Sequence, residues 1–366
     1  MHLIIPALPA AADSLRVSPA TIQLTITLYL VGLAIGQLLY GPLSDAFGRR
    51  PVLLGGLSLF TLAGFATAAA PSAATLIVAR VLQSVGGCSG LVLGRAIVRD
   101  TASTDQAAAR LALLTLVMSM APAIAPVIGG YATAWFGWRT AFGVLAVVGL
   151  VTTVLTWLGL PETASSSRGP MISGVTRLVR SRAFCGFAIG GACTTTSFYA
   201  FMSASPFIFE DRLHQPTQRI GLYYLLLMVG LAAGGFTANR LAGRVRMDLV
   251  LRVANMIAIA AALWFLLAWF TGTFNLFTVV GSVALFMMGA GIASPFALTS
   301  AVSVNPHAIG AASGLYGFVQ MIYGAICTVL VETIAPGSVT TVGAVMLGSA
   351  VLGQAALSVA LRSRRA

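Results

Sequence analysis

Charged residues are scarce in this sequence of 366 residues, of which only 8% are Asp, Glu, Lys or Arg. A soluble domain carries about 25% charged residues, so this chain cannot cover a surface that faces water. The scarcity excludes a soluble globular enzyme, a disordered chain and a nucleic-acid-binding domain, despite the net charge of +12. Lysine is absent, and all 21 basic residues are Arg. With 58% hydrophobic residues and a mean hydropathy of +0.94, the chain requires lipid as its main solvent.

Other features of soluble enzymes are missing as well. The sequence has no Gly-Lys-Ser/Thr phosphate loop, which argues against ATP-driven transport, and no catalytic grouping of Ser, His and Asp. The cysteines lie within hydrophobic runs, without the spacing of metal ligands or of a disulfide framework, and we expect them to be small packing residues: Cys88, Cys185, Cys193 and Cys327. The sequence therefore predicts neither an enzyme nor a metal or cofactor site.

Long stretches without charge predict membrane-spanning helices, because a span needs about 20 apolar residues. The run 253–331 holds three helices, since it is interrupted at Thr271–Asn275 and at Ser303–Pro306. The segment 75–98 has the length of a span but contains Arg80 and a second arginine. Seven runs hold one helix each: 17–44, 51–79, 111–138, 140–161, 183–209, 220–239 and 333–361. Because these segments do not alternate polar and apolar residues as barrel strands do, the sequence predicts an all-α integral membrane protein with eleven full spans.

The arginines predict the orientation, because positive residues stay on the cytoplasmic side of a membrane. Every second loop and the C-terminus carry most of them: Arg49, Arg50, Arg99, Arg110, Arg168, Arg177, Arg180, Arg182, Arg240, Arg244, Arg246, Arg252, Arg362, Arg364 and Arg365. The intervening loops hold only Arg16, Arg139, Arg212 and Arg219. This alternation predicts a cytoplasmic C-terminus and explains the basic charge without a nucleic-acid partner. A specific role in binding anionic lipid is the alternative interpretation.

The predicted spans fall into two bundles. Residues 1–160 form an N-terminal bundle with a partial first helix and helices 2–6, and residues 183–366 form a C-terminal bundle of helices 7–12. Between them, the Ser- and Arg-rich segment 161–182 is predicted to be a cytoplasmic linker. The segment 1–9 is apolar but too short to span. We therefore expect that the first helix is truncated, or that its start has been placed too late.

A weak internal repeat relates the bundles. The loop segment Gly41–Arg50 corresponds to Gly235–Arg244, with Gly, Asp or Asn and Arg at equivalent places. Transporters built from two repeats bind their substrate near the membrane midplane, between the repeats. On the eighth span, Gly230 and Gly234 form a small-xxx-small face, which could be the packing partner of the fifth span.

The segment Gly36–Pro51 is the most informative motif. We expect it to end one helix, to turn at Gly48 and to begin the next helix at Pro51, a favoured first helical position. Asp45 could pair with a nearby arginine or lie against a helix N-terminus, where the helix dipole favours an anion. The alternative is a turn that only fixes topology, with solvated charges.

This segment resembles the signature loop of the major facilitator superfamily. The segment Leu76–Gly86, with Arg80 and Gln83, resembles the fourth-helix arginine motif of its drug exporters, and Ala121–Gly130 resembles the fifth-helix motif associated with antiporters. Pro161–Thr163 is also typical after the sixth helix. Three further segments resemble the bicyclomycin/chloramphenicol-resistance (Bcr/CflA) branch: Pro6–Pro9, Thr21–Tyr29 and Gly310–Gln320.

The resemblance implies a major facilitator fold of two six-helix halves that exports amphipathic drugs by alternating access. The proton gradient would supply the energy, without a cofactor. The partners would be drugs, protons and the lipid of a bacterial cytoplasmic membrane, and the protein would be a monomer. Relatives carry an Asp in the first helix, at the position where an ungapped match puts His2.

The resemblance also assigns candidate site residues. Arg80 lies roughly 8 Å into its span at 1.5 Å per residue, and an intramembrane charge indicates function, although it could also extend to the outer surface. Gln83 shares its helix face and would join Arg80 in coupling, or would only pack against a neighbouring helix. The antiporter motif would seal the cavity, or would simply be a bent, closely packed helix: Pro122, Pro126, Gly129 and Gly130.

Two more groups complete the set. The cytoplasmic gate would consist of Gly41, Asp45, Gly48, Arg49 and Arg50. The substrate cavity would be lined by aromatic and amide side chains, for which core packing is the alternative: Tyr29, Tyr199, Tyr223, Phe318 and Gln320. Two other functions remain open, namely export of a metabolite such as an amino acid or sugar, and a truncated membrane protein without transport activity.

Overall fold

The computed structural model describes residues 1–101, 104–163, 171–305, 309–335 and 337–363, and these residues form helices but no strand. A 3-10 helix, His2–Ala7, precedes the first α-helix, and a π-helical turn, Ile208–Arg212, follows the ninth. The α-helices are α1 Leu8–Leu15, α2 Pro19–Phe47, α3 Arg49–Ala68, α4 Ala73–Thr101, α5 Thr104–Phe136, α6 Trp138–Gly159, α7 Met171–Arg180, α8 Arg182–Thr196, α9 Phe198–Phe207, α10 Thr217–Leu241, α11 Met247–Phe270, α12 Leu276–Val302, α13 Ile309–Ile334 and α14 Val339–Ser363.

Within the described residues, nine helices are long and apolar enough to cross a membrane: α2, α3, α4, α6 and α10 to α14. This confirms the predicted all-α membrane architecture. The predicted interruption at Thr271–Asn275 separates α11 from α12, and α12 ends at Val302, immediately before the second predicted interruption. The helix α5 covers another predicted span, but several of its side chains lie outside the described part of the chain.

The segment 183–209, predicted as one span, is instead divided into α8 and α9 at Ser197. The physical reason lies in the hydroxyl side chains that precede the division. Thr194, Thr195, Thr196 and Ser197 each donate a hydrogen bond to the backbone carbonyl four residues earlier. Such bonds draw the carbonyl away from the regular helical ladder and bend the helix. Four of them in succession favour a break that hydropathy does not reveal.

The chain forms two compact units, Met1–Pro170 and Met171–Ala366. In the first unit, α2 packs against α4, α3 packs against α4 and α6, and the 3-10 helix packs against α5. Glycine allows the closest of these approaches, because a Cβ at Gly32 of α2 would overlap the Ser84 side chain of α4. A Cβ at Gly129 of α5 would likewise overlap the backbone of Leu3. The helices therefore approach one another closely, as small residues permit in membranes.

In the second unit, α10 crosses α12 through glycine. A Cβ at Gly230 would overlap the carbonyl of Ala284, and a Cβ at Gly234 would overlap the carbonyl of Met288. From α12, Gly291 meets the α10 backbone in the same way. Gly230 and Gly234 thus form a close packing face, and its partner within this unit is α12.

A buried amide ties three helices of the second unit together. Asn255 of α11 donates from Nδ2 to the Ala350 carbonyl at 2.7 Å and to Gln354 Oε1 at 3.0 Å, both on α14. Its Oδ1 lies 2.8 Å from the Thr194 hydroxyl of α8, whose single hydrogen it shares with the Gly190 carbonyl. Both polar atoms of the buried side chain are therefore satisfied, as the apolar interior requires.

The glycine crossing predicts opposite effects of two neighbouring substitutions. Gly234→Ala should destabilise the protein by about 1–3 kcal/mol, the usual cost of overpacking a tight contact. Gly235→Ala adds the same methyl group to the same helix where no atom lies within 4 Å, so improved helix propensity should stabilise it by up to about 1 kcal/mol. Thermal unfolding in detergent measures both. Equal shifts for the two variants would contradict the crossing.

Candidate functional site

The first unit buries a complete guanidinium inside its helices. Arg80 of α4 is 0% exposed, and its Cζ lies 4.0 Å above the ring centroid of Tyr29 of α2. The Phe142 ring of α6 lies 5.9 Å away. The close α2–α4 approach at Gly32 brings Tyr29 and Arg80 together, so the tyrosine provides a cation–π contact. Arg80 therefore does not extend to the surface, and Tyr29 holds it in the interior.

Arg80 also bonds along its own helix. Its Nη1 donates to Oε1 of Gln83, which is 0% exposed as well. The two residues thus share a face, as their spacing predicts. The amide of Gln83 reaches the α3–α6 contact, because a Cβ at Gly64 would lie 3.1 Å from both Gln83 Nε2 and the Ala146 Cβ.

Several donors of this cluster have no partner in the described structure. They are Arg80 Nε, Arg80 Nη2 and Gln83 Nε2, and the buried amide of Gln23 on α2 is also without a partner. Among the described residues, no acidic side chain forms an ion pair with Arg80. A buried charge without compensation costs several kcal/mol, and a buried donor without an acceptor adds to this cost. The cluster is therefore equipped to bind a group that accepts hydrogen bonds or carries negative charge.

The segment that precedes α2 packs beside these helices. His2 has a buried Nδ1 without a hydrogen-bond partner among the described residues. The 3-10 helix that it begins lies against Gly129 of α5. In α5, Pro122 and Pro126 lie inside a continuous helix, and Pro126, Gly129 and Gly130 are buried. The close packing expected of this motif is thus seen, with the N-terminal segment as its partner.

The turn after α2 is formed by Gly48, which has φ +95° and ψ 155°, a conformation that is essentially restricted to glycine. The next helix begins at Arg49 and not at Pro51 as predicted. Pro51 still fits, because the first turn of a helix does not use its amide hydrogens. The Glu162 carboxylate accepts from the backbone nitrogens of Arg49 at 2.9 Å and Arg50 at 3.2 Å.

Glu162 and Arg50 therefore cap each other's helices. The carboxylate lies at the N-terminus of α3, while Arg50 Nη2 donates to the Trp157 carbonyl near the C-terminus of α6 at 2.8 Å. An anion at a helix start and a cation at a helix end both interact favourably with the helix dipoles. The helix N-terminus considered for Asp45 is thus occupied by Glu162. A Cβ at Gly48 would lie 2.6 Å from Glu162 Oε2, so a larger residue here would have to displace the carboxylate.

The side chain of Arg49 joins α2, α3 and α4. It bonds Asp45 at 2.6 Å and Asp100 at 3.1 Å, and it donates to the Ser44 hydroxyl at 2.5 Å. Of the two partners considered for Asp45, the arginine is therefore the one observed. The Ser44 hydroxyl in turn donates to the Gly41 carbonyl at 2.9 Å. The gate residues predicted from the sequence thus form one network.

Sequence reasoning assigned no role to Asp100 or Glu162. Asp100 lies at the end of α4, and Glu162 lies three residues after the end of α6. Both follow hydrophobic runs whose ends, by the arginine pattern, lie on the same side of the membrane as the Gly48 turn. This shared side was the signal in the sequence that could have brought Asp100 and Glu162 to the Gly48 turn, because few acidic residues follow hydrophobic runs in this sequence.

The candidates of the second unit do not form one cluster. Gln320 Nε2 on α13 donates to Thr195 Oγ1 on α8 at 2.8 Å and to the Tyr316 hydroxyl at 3.4 Å. Phe318 packs against the hydrophobic core of this unit. Tyr223 donates to Gln215 Oε1 at 2.5 Å, in the loop before α10, while Tyr199 is partly buried on α9.

Tyr224, which follows Tyr223 in the sequence, is more deeply buried than Tyr223. Tyr224 is 0% exposed and its hydroxyl bonds Ser205 of α9. Sequence reasoning missed it because two adjacent tyrosines on a helix face different directions and only packing distinguishes them.

Of the cysteines, Cys88, Cys193 and Cys327 are buried and Cys185 is partly exposed, and all four are free thiols.

The contact between Gly48 and Glu162 predicts non-additive effects. Gly48→Ala should cost about 1–3 kcal/mol from backbone strain plus the clash with the carboxylate. In a Glu162→Ala background the clash is gone, so the same substitution should cost less. Thermal unfolding of the four proteins in detergent measures the difference, and Asp13→Asn, at an exposed acid, serves as a control that should change nothing. Additive losses would refute the contact.

Comparison with known proteins identifies one family. Residues 1–328 match the model of the Major Facilitator Superfamily. The chain is 34% identical to the "Chloramphenicol resistance protein" of Pseudomonas aeruginosa over 91% of this chain and 78% of that protein. It is 29% identical to the "Bicyclomycin resistance protein homolog" of Haemophilus influenzae over 91% of this chain and 85% of that protein.

A solved structure has the same fold. The crystal structure of the peptide transporter POT in complex with sulfate covers 100% of this chain and 92% of its own, with a TM-score of 0.79 and 18% identity. At that identity the likeness shows the fold alone. The family match and the named relatives confirm the resemblance drawn from the motifs. The chain belongs to the major facilitator superfamily, as a Bcr/CflA-like transporter and not an enzyme.

Proposed function

We propose that this transporter exports amphipathic drugs of the phenicol or bicyclomycin type in exchange for protons. The names of the two relatives support the substrate class. The observation that carries the proposal is the fully buried Arg80, with two nitrogens that have no partner among the described residues. A hydroxyl- and carbonyl-rich drug supplies acceptors for such donors, and each charge-assisted bond formed is stronger than a neutral one.

Each motif has a role in this proposal. Arg80 and Gln83 couple substrate binding to proton movement, with Tyr29 holding the guanidinium in place. The Asp45–Arg49–Asp100 network and the Glu162 cap hold the gate in one state and release it in the other. The α5 motif, with Gly129 against Leu3, keeps the cavity sealed to protons. Tyr199, Tyr223, Phe318 and Gln320 contribute the second half's share of the cavity.

The cellular setting follows from the charge pattern. The arginine alternation supports a cytoplasmic C-terminus, in a protein of the bacterial inner membrane. Export proceeds by alternating access, and the segment 161–182 links residues 1–160 to residues 183–366. The protein acts as a monomer without a cofactor, and the proton gradient drives export.

Transport by Arg80 variants tests the proposal. In everted membrane vesicles that hold a proton gradient, a phenicol or bicyclomycin should dissipate the gradient, as reported by a pH-sensitive dye. Arg80→Gln should reduce this drug-dependent signal at least about tenfold, the effect of one lost charge-assisted hydrogen bond. The signal of Arg80→Lys should lie between those of the wild type and Arg80→Gln, because lysine keeps the charge but lacks the planar guanidinium with its paired donors.

The matched control is Arg219→Gln, which removes an exposed arginine at the start of α10 and should leave the signal intact. A full drug response from Arg80→Gln at wild-type abundance would refute the coupling role. A response of the wild-type protein to amino acids or sugars, but not to drugs, would mean that the transported substrate is a metabolite and not a drug. No response to either would remove the proposal of export altogether.

A further inference from the structure

A basic pocket lies where α7 meets α8, away from the residues assigned to transport. It has a volume of about 340 Å³, is open to the surface, and is lined by Thr176, Arg177, Arg180 and Ser181. Arg177 and Arg180 are three residues apart on α7 and therefore share a side of the helix. Both are exposed, and no acidic side chain within the described ranges forms an ion pair with them. Two cations and two hydroxyls form a receptor for a phosphate group.

The helix α7 is anchored so that these arginines keep their position. Leu178 is 1% exposed and packs into the hydrophobic core of the second unit. The next turn begins α8, whose N-cap Ser181 accepts from the backbone nitrogen of Phe184 at 3.3 Å. The pocket is therefore built on two fixed helix ends, and its arginines are not side chains of a loose loop.

An apolar groove is built on the same two helices, α7 and α8. Its volume is about 120 Å³, and its walls come from α7, α8 and α13: Val179, Phe184, Cys185, Ile189, Leu315 and Val319. Val179 lies between Arg177 and Arg180 in the sequence, so pocket and groove share the same turn of α7. Leu315 and Val319 belong to α13, which is one of the helices long enough to cross the membrane. A ligand that fills both must join an anionic group to a hydrocarbon chain.

We propose that this pocket and groove bind an anionic glycerophospholipid, with its phosphate at Arg177 and Arg180 and the upper part of one acyl chain in the groove. The unpaired positive charge favours a lipid with net negative charge over a zwitterionic one. The groove favours a lipid over a soluble phosphate, because its apolar walls gain contact only with hydrocarbon. The bound lipid would hold α7 at the membrane surface. This inference goes beyond the proposed drug export and does not depend on it.

Lipid binding to the full-length protein tests the proposal. Delipidated protein in detergent is titrated with phosphatidylglycerol or phosphatidylcholine, and bound lipid is counted by native mass spectrometry. The wild-type protein should prefer phosphatidylglycerol. The double variant R177Q/R180Q should bind it about 30-fold more weakly, from two lost interactions of the size usual for arginine at an anionic surface. The matched control R212Q/R219Q removes two exposed arginines elsewhere and should bind as the wild type does.

A second measurement locates the acyl chain. Cys185 lines the groove and is the partly exposed cysteine, whereas Cys88, Cys193 and Cys327 are buried. Phosphatidylglycerol should slow the labelling of Cys185 by N-ethylmaleimide in the wild-type protein but not in R177Q/R180Q, with Cys185→Ser giving the background.

Three results would overturn the proposal. The first is equal binding of the two lipids by the wild-type protein. The second is an equal loss of binding in R177Q/R180Q and in the control. The third is displacement of phosphatidylglycerol by inorganic phosphate, which would make the pocket a site for the free ion. If Cys185 does not react under any condition, the lipid titration alone decides.

Discussion

The cost of placing charge in lipid determines how this molecule is arranged. Among the described residues, most charged side chains lie near helix ends or in loops, where water or a helix terminus can stabilise them. Arg80, by contrast, is completely buried among α2, α4 and α6. Tyr29 and Gln83 compensate it only in part, and two of its nitrogens have no partner in the described structure. A site that retains such a cost is expected to be functional, and the remaining donors define what its ligand must supply.

The same solvent explains the abundance of glycine. Lipid tails are as apolar as leucine, so helices gain little by hiding large side chains from them, and close backbone contact has to hold the bundle. Gly32, Gly129, Gly230 and Gly234 each stand where a Cβ would overlap a neighbouring helix or segment. These contacts determine which side chains meet. The approach of α2 to α4 at Gly32, for example, places Tyr29 over Arg80 and so shapes the candidate site.

The helices themselves were predictable from sequence because a charge-free run of sufficient length has few alternatives in lipid. The interruption at Thr271–Asn275 was predicted correctly for the same reason. The division of 183–209 at Ser197 was not, because it depends on hydroxyl bonds to the backbone that hydropathy ignores. The cap by Glu162 also escaped prediction, since Arg49 and Glu162 are 113 residues apart and only the packing of α3 on α6 joins them. Motif resemblance identified Arg80, but its contact with Tyr29 required the structure.

The central claim is that the open donors of Arg80 bind the transported drug. Calorimetric titration of the purified protein with chloramphenicol or bicyclomycin tests it most directly, because it measures binding separately from transport. The account predicts that Arg80→Gln weakens the drug's Kd at least about tenfold, as expected for loss of a hydrogen bond to a charged group, while the fold remains intact by thermal unfolding. An unchanged Kd in Arg80→Gln would contradict it.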